Sequence, residues 1–189
     1  MQISISTDFP ALAKRLDALH SDIASKALAR AVNRTLEQAK TSMSRTIRSQ
    51  FNIPKAKVDQ SLSIKRATFK GGTFRIEGQL RSTSKRGRSL NVISFGARQV
   101  HKPGGGVSVL IRKSAGRKLI KGAFIANQGR TVFRRVGDKR LPIEAVQTID
   151  VPQMFNTKRI NAVVVKLMRT KFPEIFEREV RFYTARWKG

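Results

Sequence analysis

Between Phe9 and Phe51 the apolar residues recur at steps of three and four: Leu12, Leu16, Leu19, Ile23, Ala27, then Leu28, Val32, Leu36, Ala39, Met43 and Ile47. That period places them along one side of an α-helix. The spacing predicts a single amphipathic helix of roughly 60 Å, at the usual rise per residue. Thr7-Asp8 offers an N-cap and Pro10 falls where a first turn tolerates proline. The helix ends near Phe51, because Ile53 precedes Pro54 and the residue before a proline is steered away from helical backbone. Such a stripe ordinarily packs into a core. A helix this long outruns its own domain, however, and the pattern slips near Ala27–Leu28. The face carrying Leu28, Val32 and Leu36 is therefore a candidate subunit contact. Asp22 lies four residues before Lys26 and Glu37 three before Lys40, so the acids of this helix have local partners.

The middle of the chain reads differently. Met1–Ser6 alternates at Ile3 and Ile5 and suggests a short strand, and Pro54–Ser61 a short helix. Leu62, Ile64 and Phe69 lead to Gly71-Gly72, followed by Phe74 and Ile76, which reads as a β-hairpin. Asn91–Val100 and Val107–Lys113 flank a Gly104-Gly105-Gly106 tip in a second, and that tip is a further candidate subunit contact. Gly122–Ala126 and Thr131–Arg135, joined across Asn127–Arg130, form a third. Arg81–Arg88 has four charges and no acid and reads as an exposed loop. From Val151 the helical period returns through Phe155, Ile160, Val163, Val164, Leu167 and Met168. It then meets Phe172-Pro173, where a kink or break is expected before Ile175, Phe176 and Val180 resume. Glu174 with Arg178, and Glu177 with Arg181, are spaced for surface ion pairs.

Charge follows the same division. Lys65–Arg140 holds 20 Lys and Arg against two acids, Glu77 and Asp138, so 18 of the 27 net positive charges sit in 76 of 189 residues. A compact block this basic repels itself unless something outside supplies negative charge. Two groups are the candidate polyanion-facing residues: Arg81, Lys85, Arg86, Arg88, Arg112, Lys113, Arg117 and Lys118, then Arg134, Arg135, Lys139 and Arg140. Most of the 11 Phe occupy apolar-patterned positions, so stacking platforms for bases are not evident. The pattern suits backbone neutralisation rather than base reading.

Other chemistries find little support. With no cysteine and only His20 and His101, disulfides and thiolate or histidine metal sites are excluded or improbable. Neither histidine has an acidic neighbour in sequence. Asp138 and Glu144 are too few carboxylates for the metal-assisted phosphate chemistry of a nuclease. The glycine-rich tip lacks the Lys-Ser/Thr of a phosphate loop. The N-terminus has no basic region followed by an apolar run, and no apolar stretch reaches the ~18 residues of a membrane span. No catalytic residue, cofactor or metal site is expected, and no membrane.

Ala27-Leu-Ala-Arg-Ala-Val-Asn-Arg-Thr35, Ile93-Ser-Phe-Gly-Ala-Arg-Gln99, Lys121-Gly-Ala-Phe-Ile-Ala126, Val132-Phe-Arg-Arg135, Leu141-Pro-Ile143 and Val151-Pro-Gln-Met154 resemble, in that order, the minor tail protein Z family of tailed bacteriophages. No single one of these motifs is specific; the ordered set is. The resemblance spans roughly residues 27–154, with a similar C-terminal helix beyond. It implies a virion structural protein acting late in tail assembly, completing the tail so that it joins the head and passes DNA. It implies no catalytic residues. Joined to the charge argument, it suggests a ring homo-oligomer around the DNA path, with a hexamer the expected order, because closed cyclic assemblies repeat one surface about an axis. Expected partners are further copies, other tail and neck proteins, and genomic DNA contacted without sequence preference. The expected location is the virion tail or neck, after assembly in the host cytoplasm. A free nucleic-acid-binding protein without sequence preference is the alternative.

The expected architecture is α+β: an antiparallel sheet of three hairpins packed by the long N-terminal helix and a C-terminal helix. It forms one domain, with residues 1–61 the helical region, 62–150 the basic sheet and 151–189 the C-terminal helix.

Overall fold

Two thirty-residue helices, α1 (Ser21–Gln50) and α4 (Lys158–Trp187), are the long elements of a mixed α+β chain. The structure, a computed structural model, describes residues 2–5, 21–68, 77–83, 89–102 and 104–187. The predicted start of the first helix at Phe9 and its Thr7-Asp8 cap lie outside these residues. Between the long helices come α2 (Lys55–Ser61) and α3 (Val151–Phe155), with eleven short strands among the described residues. These are β1 (Gln2–Ile5), β2 (Leu62–Lys65), β3 (Gly78–Ser82), β4 (Leu90–Asn91), β5 (Arg98–Gln99), β6 (Gly106–Val109), β7 (Lys118–Lys121), β8 (Ala123–Ala126), β9 (Thr131–Arg135), β10 (Ile143–Ala145) and β11 (Gln147–Thr148).

The strands do not form the one sheet expected of consecutive hairpins. They form four small antiparallel sheets, ordered β1-β3-β2, β5-β6-β7, β10-β9-β8 and β11-β4. Strands of two to five residues are too short to build a wide sheet. Internal contacts group the chain into two units: residues 1–43, 62–82 and 156–189, and residues 44–61 and 83–155.

In the first unit, α1 buries Ile23, Ala24, Ala27, Leu28, Ala31, Val32, Leu36, Ala39 and Met43. The slip at Ala27–Leu28 is thus a widening of the stripe into two adjacent columns, both covered. α4 contributes Ile160, Val164, Met168, Phe172, Ile175 and Phe176. Pro173 lies inside α4 and does not end it. A proline there removes one backbone hydrogen bond. The buried residues on both sides of it, Phe172 stacked 6.2 Å from Phe176 and Ile175 between them, hold the helix through the gap. The interruption falls instead at Asn156-Thr157, between α3 and α4. β3 is the centre of its sheet, pairing Leu80 with Ile3 on one side and with Ile64 on the other. The partner of β2 is therefore Gly78–Ser82; Phe74 and Ile76 lie outside the described residues. Gly78 lets β3 approach α1: a Cβ there would sit 2.6 Å from Leu36 Cδ1 and 2.7 Å from Val32 Cγ1.

In the second unit, the end of α1 is tied to α2 by Ser44, whose hydroxyl donates to Asp59 Oδ1 at 2.7 Å. The β8–β9 hairpin forms where expected, with Ala126 opposite Thr131. Val107 and Val109 share the buried side of β6. α3 opens with a capping box: the Gln153 N–H donates to Asp150 Oδ1 at 2.9 Å, and the Asp150 N–H to Gln153 Oε1 at 3.2 Å.

Candidate polyanion interface

The second unit carries 19 Lys and Arg against four acids. Three of those acids have work inside the unit. Asp59 faces Lys55 and Ser44, Glu144 lies 2.7 Å from Arg134, and Asp150 caps α3. Asp138 stands exposed. The surface is thus basic with few carboxylates to spare.

The predicted cations divide by what they touch. Arg81 lies on β3 rather than in a loop, half-buried, and its Nε donates to Gln79 Oε1 at 2.9 Å. Lys85, Arg86 and Arg88 lie outside the described residues. Arg112 is laid over the ring of buried Phe51, 5.5 Å from its centroid. Arg117 clasps the backbone: its guanidinium donates to Gly96 O and Ser108 O, each at 2.8 Å, and to Ser108 Oγ at 3.0 Å. Arg134 is held by Glu144 across the β9–β10 ladder, and Arg135 covers Phe124 at 5.4 Å. Lys113, Lys118, Lys139 and Arg140 are exposed, and among the described residues none of them forms an ion pair. Lys113 sits on a single 3₁₀ turn, Lys113–Ala115, and Lys118 opens β7. Beside them is a shallow cavity of about 210 Å³ lined by Val109, Ile111, Arg112, Ala115, Gly116 and Lys118.

The glycine tip and the helix face have structural reasons of their own. Leu28, Val32 and Leu36 are covered within the first unit, so core packing accounts for them and their side chains do not reach an outer surface. At the β5–β6 turn Gly104 has φ +68 and is exposed. The Gly105 N–H closes the turn on Lys102 O at 2.8 Å. A Cβ on Gly106 would overlap the Ile120 carbonyl, so glycine there is what lets β6 and β7 pair.

Two asparagines act as pieces of backbone. Asn33 accepts the Ala67 N–H at 2.8 Å and donates to Ala67 O at 3.0 Å. Asn91 does the same to Val132, at 3.0 Å each way, and also caps the 3₁₀ turn Val92–Phe95 through the Ile93 N–H. Gln99 joins two sheets, accepting from the Ile125 N–H and donating to Gly106 O.

The sequence reading missed Glu179. Its side chain is only 3% exposed, with Oε2 3.2 Å from Arg30 Nε and Oε1 3.0 Å from Arg34 Nη1. Its two nearest partners lie on α1, about 150 residues away, beyond the reach of local spacing, while neighbouring Arg178 stands further off at 3.9 Å. Arg30 is held more firmly in its charged form, first by its hydrogen bond to the Tyr183 hydroxyl and then by Glu179. Two expected local pairs also change partners. Glu37 meets Arg66 at 2.9 Å rather than Lys40, and Glu174 meets Lys171 at 2.8 Å rather than Arg178, while Glu177 does face Arg181 at 3.8 Å.

Among the described residues no group of three or more His, Cys, Asp and Glu is placed to hold a metal ion. No described helix is long and apolar enough to cross a membrane. His101 is exposed, and His20 lies outside the described residues. Comparison with known families finds the model of prophage minor tail protein Z matching residues 11–187. No curated protein and no solved structure matches the chain.

Proposed function

Because this chain belongs to the prophage minor tail protein Z family, we propose that it completes the phage tail as a ring of identical subunits at or near the head–tail junction. Membership itself carries a structural or assembly role among other tail proteins, and the family is not known to be catalytic. In the proposed ring, for which six copies is our working number, Lys113 and Lys118 of the second unit face the DNA path. Each subunit then adds to one field in a confined lumen, and neighbouring patches within a Debye length of about 8 Å reinforce one another. The contact neutralises phosphate and reads no bases.

The observation that carries this reading is the exposed pair Lys113 and Lys118, which form no ion pair among the described residues, on a unit whose acids are mostly committed elsewhere. Charge reversal tests it. Tails assembled with Lys113→Glu and Lys118→Glu should form and join heads normally but deliver DNA poorly. Loss of assembly would point instead to contact with an acidic tail protein. Salt-sensitive duplex binding by the free chain, together with its absence from purified particles, would replace this reading with that of a free nucleic-acid binder.

A further inference from the structure

The outer face of the β8–β9–β10 sheet is apolar where solvent contact would favour polar residues. Alternation along β9 sends Val132 and Arg134 to one side and Phe133 and Arg135 to the other. The registers set Phe124 and Ala145 beside Phe133, and Ile143 beside Arg135. Val132 and Ala123, on the first side, are buried in the unit. On the other, Phe124 and Phe133 are half-buried with ring centroids 6.1 Å apart. Ile143 is 39% exposed, and Leu141 and Val136, at the end of the hairpin, are 64% and 60% exposed. An antiparallel sheet with one face on the core normally turns a polar face to water. A connected apolar surface rimmed by charge marks a site of association.

The rim is basic. Lys139 and Arg140 are exposed around the hairpin end, and Arg135 lies across the face over Phe124, against one free carboxylate, Asp138, since Glu144 is taken by Arg134. We propose that this face, with the hairpin end Val136–Ile143, docks an acidic protein segment that carries apolar side chains between its carboxylates. A nucleic-acid backbone satisfies the cations but offers nothing to Leu141 and Ile143. A second copy of this chain would cover the apolar residues but brings a net charge of +27 against a basic rim. An acidic segment with apolar anchors satisfies both. The assignment does not depend on whether Lys113 and Lys118 meet DNA.

The test uses the full chain and three labelled probes: a synthetic peptide with Asp and Glu alternating with Leu and Phe, an oligo-glutamate of equal charge, and a short DNA duplex. The mixed peptide should bind about tenfold more tightly than oligo-glutamate. Leu141→Ser with Ile143→Ser should erase that difference, and Lys139→Ala with Arg140→Ala should weaken both peptides. Both apolar sites are exposed, so the thermal midpoint should hold; the single Leu141→Ser variant serves if the pair shifts it. Equal affinity for the two peptides would overturn the proposal, as would indifference to Leu141→Ser. Tighter binding of duplex that Leu141→Ser abolishes would assign the face to nucleic acid. Self-association lost in the same variant would assign it to a second copy.

Discussion

Glu179 gives the sharpest test of how the two long helices are held. Its carboxylate is almost wholly covered, and two guanidiniums from α1 reach it at 3.2 and 3.0 Å. Breaking a buried ion pair by removing one partner costs about 3–5 kcal/mol when the other charge is left stranded. Here the two arginine side chains are 43% and 40% exposed, so water can take over most of their solvation once the carboxylate is gone. The expected loss for Glu179→Gln is therefore below that range, about 2 kcal/mol. In a chain of this length that lowers the melting midpoint by roughly 4–8 °C. Urea unfolding followed by helical circular dichroism would measure it. A covered pair is screened little by salt, so the loss should persist at high ionic strength. A loss under about 0.5 kcal/mol, the value of an ordinary exposed pair, would refute the reasoning. So would a loss that disappears on adding salt.

Asn33→Ala and Asn91→Ala each remove a two-way clasp on a buried backbone segment, at Ala67 and Val132. Each should cost about 2–3 kcal/mol by the same unfolding assay. Gly106→Ala should destabilise by about 1–3 kcal/mol, because the new methyl meets the backbone carbonyl of Ile120. Gly104→Ala, with open space but φ +68, should cost only about 1 kcal/mol. Arg117→Lys keeps the charge but cannot reproduce three donations from one planar group, and hydrogen exchange at β6 should quicken while duplex affinity, measured by titration, changes little.

What was legible in the sequence depended on the range of the interaction. The described part of the helix read over Phe9–Phe51, residues 21–50, the short helix after Pro54 and the Ala126–Thr131 turn announce themselves through period or local turn chemistry, and over the described residues they form as read. β10 and β11 have three and two residues, too few to show an alternation, and were missed. Of the kink or break expected at Pro173, the break does not occur, because the buried aromatics around it outweigh one missing hydrogen bond. Glu179 was invisible because its partners are set by how α4 meets α1, not by spacing along either helix. The quoted stretch Ala27–Thr35 is explained only by the fold. Ala27, Leu28, Ala31, Val32 and Thr35 are core, Arg30 and Arg34 hold Glu179, and Asn33 holds Ala67.

The same sorting bears on the basic surface. Arg81, Arg112, Arg117, Arg134 and Arg135 all find partners inside the chain, as a planar guanidinium with several donors can. Of the predicted cations that fall on described residues, those left over are Lys113, Lys118, Lys139 and Arg140. An ammonium on a flexible stem is a hydrated point charge that follows a moving partner without a fixed geometry. Among the predicted cations, arginine mostly builds the surface and lysine supplies most of the unspent charge. That division suits transient contact with a uniform polyanion better than recognition of any one sequence. Along the chain, Lys113 and Lys118 belong to the β6–β7 connection, and Lys139 and Arg140 to the β9–β10 connection beside the apolar Val136, Leu141 and Ile143.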